Sequence, residues 1–347
     1  MASRVRRINL ALQGGGAHGA FTWGVLDRFL EDETIEIAGI SGTSAGALNG
    51  AALKAGMAMG GRAGARANLD WLWAQVGAVG DMRMASWFRA FLPVSDLWSG
   101  LTGRLAPFSP AETFTRLFSP YDFGPFYVNP LERVVSQFRF DLVCGSQGPA
   151  IFVAATNVRS GKIRVFSGDE ITTDAILASA CLPTLFRAVE IDDAETGRKE
   201  AYWDGGYTGN AALFPLFDPA LPDDIVVVSI NPLRREAVPR SAQEILDRIN
   251  EVSFNSSLLR EFRAINFVKE LIADGRVEHG AMKDVLVHIV ADDALMTSLT
   301  AATKLVPTPG LLWELKGAGR AAADGFLERH GGALNHESSV DLEGLFS

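Results

Sequence analysis

Ser44 lies at the centre of a Gly-x-Ser-x-Gly pattern, GTSAG, between a short apolar run and an alanine-rich segment. A serine becomes an exposed nucleophile where the chain turns sharply from a strand into a helix, and small flanking residues permit that turn. Gly42 and Gly46 are those flanking residues. The helix dipole would also favour the negative charge that develops on attack. The pattern predicts a nucleophilic serine at position 44.

A glycine cluster precedes this motif in the stretch LALQGGGAHGAFTWGVL, which runs from Leu10 to Leu26. Gly14, Gly16 and Gly19 fit the GxGxxG pattern of dinucleotide-binding folds. That function also needs an acidic residue at the end of the second strand. Here Glu36 lies at the beginning of that strand, and the chain has no GxxxxGK[ST] phosphate-binding motif. The sequence therefore argues against a nucleotide site.

The glycines can instead bind an oxygen that becomes negatively charged during acyl transfer. The carboxyl ends of parallel strands share one edge of a sheet, so the cluster and Ser44 should lie close together. We expect the backbone amides of Gly14, Gly15 and Gly16 to form an oxyanion hole. The alternative is a glycine turn that serves only tight helix packing.

Asp204 is the candidate general base. It follows an apolar strand in the stretch EAYWDGGYTGN, where the amides of Gly205 and Gly206 can hold its carboxylate. The alternative is an ordinary Asp-Gly turn. His18 lies beside the glycine cluster, where a structural role is favoured and polarisation of the hole is the alternative. Four other histidines are expected to be packing or surface residues: His279, His288, His330 and His336.

The elements that position these residues alternate between strands and helices. A strand over 8–13, a helix over 17–31, a strand over 35–41 and a helix over 45–58 predict parallel strands joined by right-handed crossovers, and hence an α/β layered fold. Further strands are predicted over the segments 150–156, 163–167, 200–203, 225–231 and 285–290.

Two later regions have a different pattern. Residues 87–127 hold 11 of the 32 aromatic residues, which predicts an aromatic-rich helical or irregular insertion at about 80–130. It is expected to wall an acyl pocket or touch a membrane surface, or else to form a subsidiary core. One long helix or a broken pair is predicted from the apolar spacing of Ile245 to Ile272, with Ser241 as N-cap and Glu244 completing a capping box. A last helix is predicted over 311–330.

Composition restricts the function further. The chain has 347 residues and a net charge of −9, which argues against nucleic acid as a partner. Two cysteines without CxxC spacing and five histidines without metal-binding spacing predict neither a disulfide framework nor a metal site. We expect no signal peptide and no membrane span. Cytoplasmic location is the default, with peripheral membrane contact and signal-less secretion as alternatives.

Three motifs in this order resemble the patatin-like phospholipase family: GGGxxG at Gly14 to Gly19, GxSxG at Gly42 to Gly46, and DGG at Asp204 to Gly206. The block ASACLP, 178–183, is also similar to a small-residue helix of that family. The resemblance covers roughly residues 8–215. One departure is His18, which stands where many members have arginine.

The resemblance implies a three-layer α/β/α fold with a mostly parallel central sheet. It implies a Ser44–Asp204 dyad without histidine, an oxyanion hole from Gly14, Gly15 and Gly16, and lipid acyl hydrolase activity of the phospholipase A or esterase type, without metal or cofactor. We expect a catalytic core over 1–215 and a segment 216–347 that completes the same domain. One alternative is a depolymerase or thioesterase that uses the same dyad on hydroxyacid oligomers or acyl-thioesters. The other alternative is a non-catalytic lipid-binding protein.

Overall fold

The computed structural model describes residues 5–82, 119–278, 280–299 and 301–346. Most of the predicted aromatic insertion, residues 83–118, lies outside these ranges. The described part contains eight strands: β1 (Arg6–Leu12), β2 (Ile35–Thr43), β3 (Ala150–Asn157), β4 (Ile163–Ser167), β5 (Val189–Asp193), β6 (Arg198–Asp204), β7 (Asp224–Val228) and β8 (Leu286–Val290). All eight strands belong to one sheet.

The described helices are α1 (Gly19–Phe29), α2 (Ala45–Met82), α3 (Glu132–Val135), α4 (Phe140–Val143), α5 (Thr173–Ser179), α6 (Ala242–Ala273), α7 (Asp293–Ser298), α8 (Ala301–Leu305) and α9 (Pro309–His330). Short 3-10 helices cover Gly16–His18, Pro120–Phe126, Gly168–Glu170, Gly205–Tyr207 and Phe214–Phe217. The chain reverses within α2 at Gly60 and Gly61, and Asn68 donates to the carbonyl of Ala52 across the resulting hairpin.

The sheet follows the order β5-β6-β3-β2-β1-β7-β8, and β4 also pairs with β3. The strands from β3 to β8 in this order are parallel, whereas β4, β5 and β6 add antiparallel pairs at one side. This confirms a mostly parallel central sheet. Strands β7 and β8, beyond residue 215, extend the sheet of the N-terminal segment.

Helices cover both faces of the sheet, because its central strands are apolar on both sides. Leu10 and Val226 belong to the core shared with α1, α2 and α9, whereas Ile225 and Val227 face the core formed with α6. This alternation along β7 confirms the three-layer α/β/α arrangement.

Helix α6 is one continuous helix with the predicted capping box of Ser241 and Glu244. Its predicted apolar face is only partly buried. Leu258 and Phe262 enter the core, whereas four residues of the predicted apolar set lie exposed: Ile245, Ile249, Val252 and Phe267. The predicted helix is therefore present, and its apolar spacing continues beyond the part that the core buries. Strand β5 was not predicted.

Candidate active site

Ser44 lies at the tight turn between β2 and α2. Its backbone has φ = 54°, in the left-handed region that non-glycine residues rarely adopt. A Cβ on Gly42 would lie 2.7 Å from the backbone of Gly46, and a Cβ on Gly46 would overlap the carbonyl oxygen of Leu12. Both flanking glycines are therefore needed for this turn, as the motif predicted.

The sheet brings Asp204 to the same place. Strand β3 lies between β2 and β6, with Ala154 paired to Thr43 and the adjacent Ala155 paired to Asp204. Ser44 follows Thr43 directly, and its side chain lies near enough to the Asp204 carboxyl group to lower the pKa of that group. The nucleophile and base candidates thus meet across the end of β3.

The carboxyl group of Asp204 is buried at the end of β6. Burial raises its pKa to about 7, because the charged form loses its hydration. A hydrogen bond from the amide of Gly206, at 2.7 Å, and the nearby Ser44 side chain act in the opposite direction. A Cβ at Gly205 would overlap the carbonyl oxygen of Ala154. Asp204 can therefore exchange a proton near neutral pH.

The glycine loop lies against Ser44, since a Cβ on Gly14 would come within 2.6 Å of the Ser44 Cβ. The amide of Gly14 donates to Asn210 Oδ1 at 2.6 Å, so this donor already has an acceptor. The amides of Gly15 and Gly16 are the other two donors of the predicted set. Gly16 has φ = 58°, a conformation that glycine adopts without strain.

Three residues that sequence reasoning missed hold the turn and the loop. Ser179 Oγ accepts a hydrogen bond from the amide of Ser44 at 2.9 Å, and Asn231 Nδ2 donates to the carbonyl of Gly14 at 2.9 Å. Asn210, the third, binds the Gly14 amide. Ser179 lies inside the ASACLP block, and this block was the only feature of the sequence that pointed to it. The two asparagines had none, because their contacts are between distant parts of the chain.

Gln13 extends this buried network behind the loop. Its Oε1 accepts from the amides of Ile230 and Asn231 at 2.9 and 3.1 Å, and its Nε2 donates to the carbonyl of Asn210 at 3.1 Å. A buried polar network with its groups paired fixes one arrangement of the backbone. The glycine loop is thus held by the segment after β7 and by the segment after β6.

His18 is buried at the end of the 3-10 helix Gly16–His18, and its Nε2 lies 2.7 Å from Thr303 Oγ1. Burial, followed by the charge of Lys304, lowers its pKa to about 3. The imidazole is therefore neutral at physiological pH. A Cβ on Gly19 would lie 2.5 Å from the Cβ of Ala45, so Gly19 allows α1 to approach α2.

A second Ser, His and Asp set lies at the other end of the sheet. Within β8, His288 Nε2 lies 3.0 Å from Asp224 Oδ1, and its Nδ1 lies 3.0 Å from Ser339 Oγ. Asp224 also accepts hydrogen bonds from the amide and side chain of Asn335 at 2.7 and 2.8 Å. His288 is fully buried, as expected for a packing residue. His330 ends α9, and His279 lies outside the described residues.

Within the described ranges, no group of three or more His, Cys, Asp or Glu residues could hold a metal ion. In the same ranges, none of the helices is both long enough and apolar enough to cross a membrane.

Comparison with known proteins places the chain in a family. The family model for patatin-like phospholipases matches residues 10–217, which contain Ser44, Asp204 and the glycine loop. No curated protein sequence matches the chain.

Solved structures similar to the chain include the following two. VipD from Legionella pneumophila is 15% identical, with a TM-score of 0.44, over 94% of this chain and 68% of that one. The heterodimeric ExoU–SpcU complex from the type III secretion system of Pseudomonas aeruginosa is also 15% identical, with a TM-score of 0.34, over 94% of this chain and 53% of that one. Because the family model covers more than half of the sequence, the chain belongs to the patatin-like phospholipase family.

Proposed function

We propose that the protein is a serine lipid acyl hydrolase of the phospholipase A or esterase type. The observation that carries this proposal is the placement of Ser44 next to the buried Asp204 carboxyl group, at the end of β3 where β2 and β6 bring the two residues together. A serine needs a nearby base to become a nucleophile, and a carboxyl group whose pKa is about 7 is suited to that task at neutral pH.

In the first half of the reaction, Ser44 Oγ attacks the ester carbonyl carbon while its proton passes to Asp204. The tetrahedral oxyanion accepts hydrogen bonds from the amides of Gly15 and Gly16, while Gly14 keeps the loop close to Ser44. Collapse of this intermediate breaks the ester bond. Asp204 returns the proton to the departing alkoxide, and the acyl group stays on Ser44.

In the second half, water attacks the acyl-enzyme and Asp204 accepts its proton. The same amides bind the second oxyanion. Collapse breaks the bond to Ser44 Oγ, which takes the proton back from Asp204, and the fatty acid leaves. Each proton that moves therefore passes through one carboxyl group. No step requires a histidine, and the neutral His18 is bound to Thr303 instead.

Ser44→Ala tests the proposal directly. We expect hydrolysis of a short p-nitrophenyl ester to fall by about 10³-fold or more, because the nucleophile is gone. Labelling by a fluorophosphonate probe should disappear as well. Ser339→Ala is the matched control, since it removes a serine hydroxyl bound to a histidine far from the loop, and it should keep both properties. Wild-type hydrolysis by Ser44→Ala would refute the proposal.

A substrate screen separates the members of this reaction class. Phospholipid, triacylglycerol, acyl-thioester and polyhydroxybutyrate oligomers are compared at equal concentration, each with Ser44→Ala as blank. Preferential phospholipid cleavage supports the proposal, and preference for a thioester or an oligomer would favour a thioesterase or depolymerase. Binding of lipid vesicles without hydrolysis or probe labelling would indicate a lipid-binding protein.

A further inference from the structure

Helix α8 lies outside the span matched by the family model and yet contacts the glycine loop directly. A Cβ on Gly16 would overlap the carbonyl oxygen of Lys304, so the helix backbone is packed against the loop. The neighbouring Thr303 lies within hydrogen-bond distance of His18. Thr303 and Lys304, from the C-terminal part of the chain, therefore pack against this side of the loop.

The ammonium group of Lys304 adds a polar connection. Its Nζ donates to Asn231 Oδ1 at 2.8 Å, and Asn231 Nδ2 donates to the carbonyl of Gly14 at 2.9 Å. The Gly14 amide is in turn held by Asn210. A continuous chain of hydrogen bonds thus runs from Lys304 to the peptide groups of the loop.

Lys304 is partly buried, and its ammonium group has a neutral hydrogen-bond partner although a carboxylate lies nearby. The nearby carboxylate of Glu251 is bound by Arg235 at 2.5 and 2.8 Å and by Arg248 at 3.2 Å. Lys304 donates to an amide oxygen instead. Burial lowers the pKa of Lys304, and the charges of Glu251 and Asp247 oppose this shift. Withdrawing a cation from water is costly unless its interactions compensate.

We propose that Lys304 is a positioning residue for the oxyanion hole, acting through Asn231 on the carbonyl of Gly14. The inference rests on the proposed function, since it assigns the loop amides of Gly15 and Gly16 to the oxyanion. By fixing the peptide after Gly14, the lysine aims the amide of Gly15. Its positive charge also polarises the hydrogen-bond chain in the direction that favours negative charge at the loop.

Because the oxyanion exists only in the transition state and intermediates, loss of Lys304 should affect kcat and leave KM nearly unchanged. Small errors in donor placement can lower the rate about 10²-fold. We therefore expect Lys304→Met to lower kcat by about 10- to 100-fold. Binding of a trifluoromethyl ketone, which forms a tetrahedral oxyanion on the serine, should weaken by a similar factor.

Lys304→Arg keeps a charged donor and should recover most of kcat. Lys283→Met is the matched control. Lys283 Nζ donates to the carbonyls of Leu216, Asp218 and Leu221, which precede β7 at the edge away from the loop. The Lys283→Met variant loses an ammonium group, as Lys304→Met does, and burial lowers the pKa of Lys283 as well. Its kcat per folded molecule should nevertheless stay at the wild-type value.

The inference is overturned if Lys304→Met keeps wild-type kcat, or if KM rises as much as kcat falls. Equal losses in the Lys304→Met and Lys283→Met variants, or no recovery with Lys304→Arg, would also overturn it. Failure of the proposed function gives a different result, because Ser44→Ala would then remain active. Circular dichroism on all variants gives the folded fraction to which each kcat is referred.

Discussion

Two clusters, each with a serine and a buried aspartate, lie at opposite ends of the sheet. At the end with the glycine loop, Ser44 lies next to Asp204, which accepts a hydrogen bond from the Gly206 amide. At the other end, Asp224 accepts from Asn335 twice and contacts His288, which contacts Ser339. The second cluster contains the three residue types of a catalytic triad, and the first lacks the histidine.

The environments of the two carboxyl groups differ. Burial raises the pKa of Asp204 to about 7. For Asp224 burial acts in the same direction, but hydrogen bonds from His288 and Asn335 prevail and lower its pKa. Ser44 also sits in a strained left-handed turn beside glycines, whereas Ser339 does not have a positive φ. Residue type alone therefore does not identify a catalytic site. A strained backbone at the serine, and a carboxyl group whose charged form is incompletely stabilised, are the better indicators.

The largest expected effect is a difference in kcat/KM between variants of the two aspartates. Asp204→Asn should lower kcat/KM about 10³-fold, because general-base catalysis is lost. Asp224→Asn, which makes the same change in the other cluster, should keep kcat/KM within about twofold when the folded fraction is accounted for. Hydrolysis of a p-nitrophenyl ester measures both. Equal losses in the two variants would contradict the distinction.

The next effect concerns stability. Asp224→Ala leaves His288 Nε2 and the Asn335 donors without their buried acceptor, which should cost about 3 kcal/mol in the free energy of unfolding. The lowered pKa of Asp224 means that its contribution is present above the unfolded pKa, 3.8, and is lost as pH falls through the folded value.

Urea unfolding of wild type and Asp224→Ala at pH 7 and pH 3 checks this expectation. The difference between the two proteins should be smaller at pH 3. A difference that is the same at both pH values would show that the Asp224 charge makes no contribution.

The smallest effect is a pH dependence within the active protein. Since Asp204 must be ionised to accept a proton, kcat/KM should rise with pH to a plateau above about 7, and fall about tenfold per unit below it. Asp224 stays ionised over the same range, so Asp224→Asn should show the same profile. A profile measured from pH 5 to 9 that is flat would exclude Asp204 as the titrating base.

The contribution of Asp204 to the free energy of unfolding should depend on pH in the direction opposite to that of Asp224. Its raised pKa makes its stabilising contribution fully present below 3.8, and this contribution is lost as pH rises through about 7.

Much of the first 60 residues could be predicted from local patterns. The apolar run from Ile8 and the helical spacing of Phe21, Val25 and Phe29 correspond to β1 and α1, both of which are almost entirely buried. Ser44 and its glycines were visible because a sharp turn admits few residue types. The roles assigned to Ser44 and Asp204 remain predictions.

Other features could not be predicted from the sequence. Asn210, Asn231 and Lys304 contact the glycine loop from positions about 200 to 290 residues away, and neither asparagine nor lysine carries a spacing signal. In α6 the periodicity was read correctly, but it does not show which part of an apolar stripe meets the sheet. Ile249 and Phe262 have similar character in the sequence and opposite exposure in the structure.

The placement of Asp204 depends on a short strand pairing. Strand β6 meets β3 through only three residue pairs, Ala155–Asp204, Thr156–Trp203 and Asn157–Tyr202, and is otherwise fastened to β5. Side chains alternate between the two faces of a strand, so a slip of one residue would turn the carboxyl group away from Ser44. The β5–β6 hairpin, whose turn contains Gly197 with φ = 67°, therefore helps to set the position of Asp204 relative to Ser44.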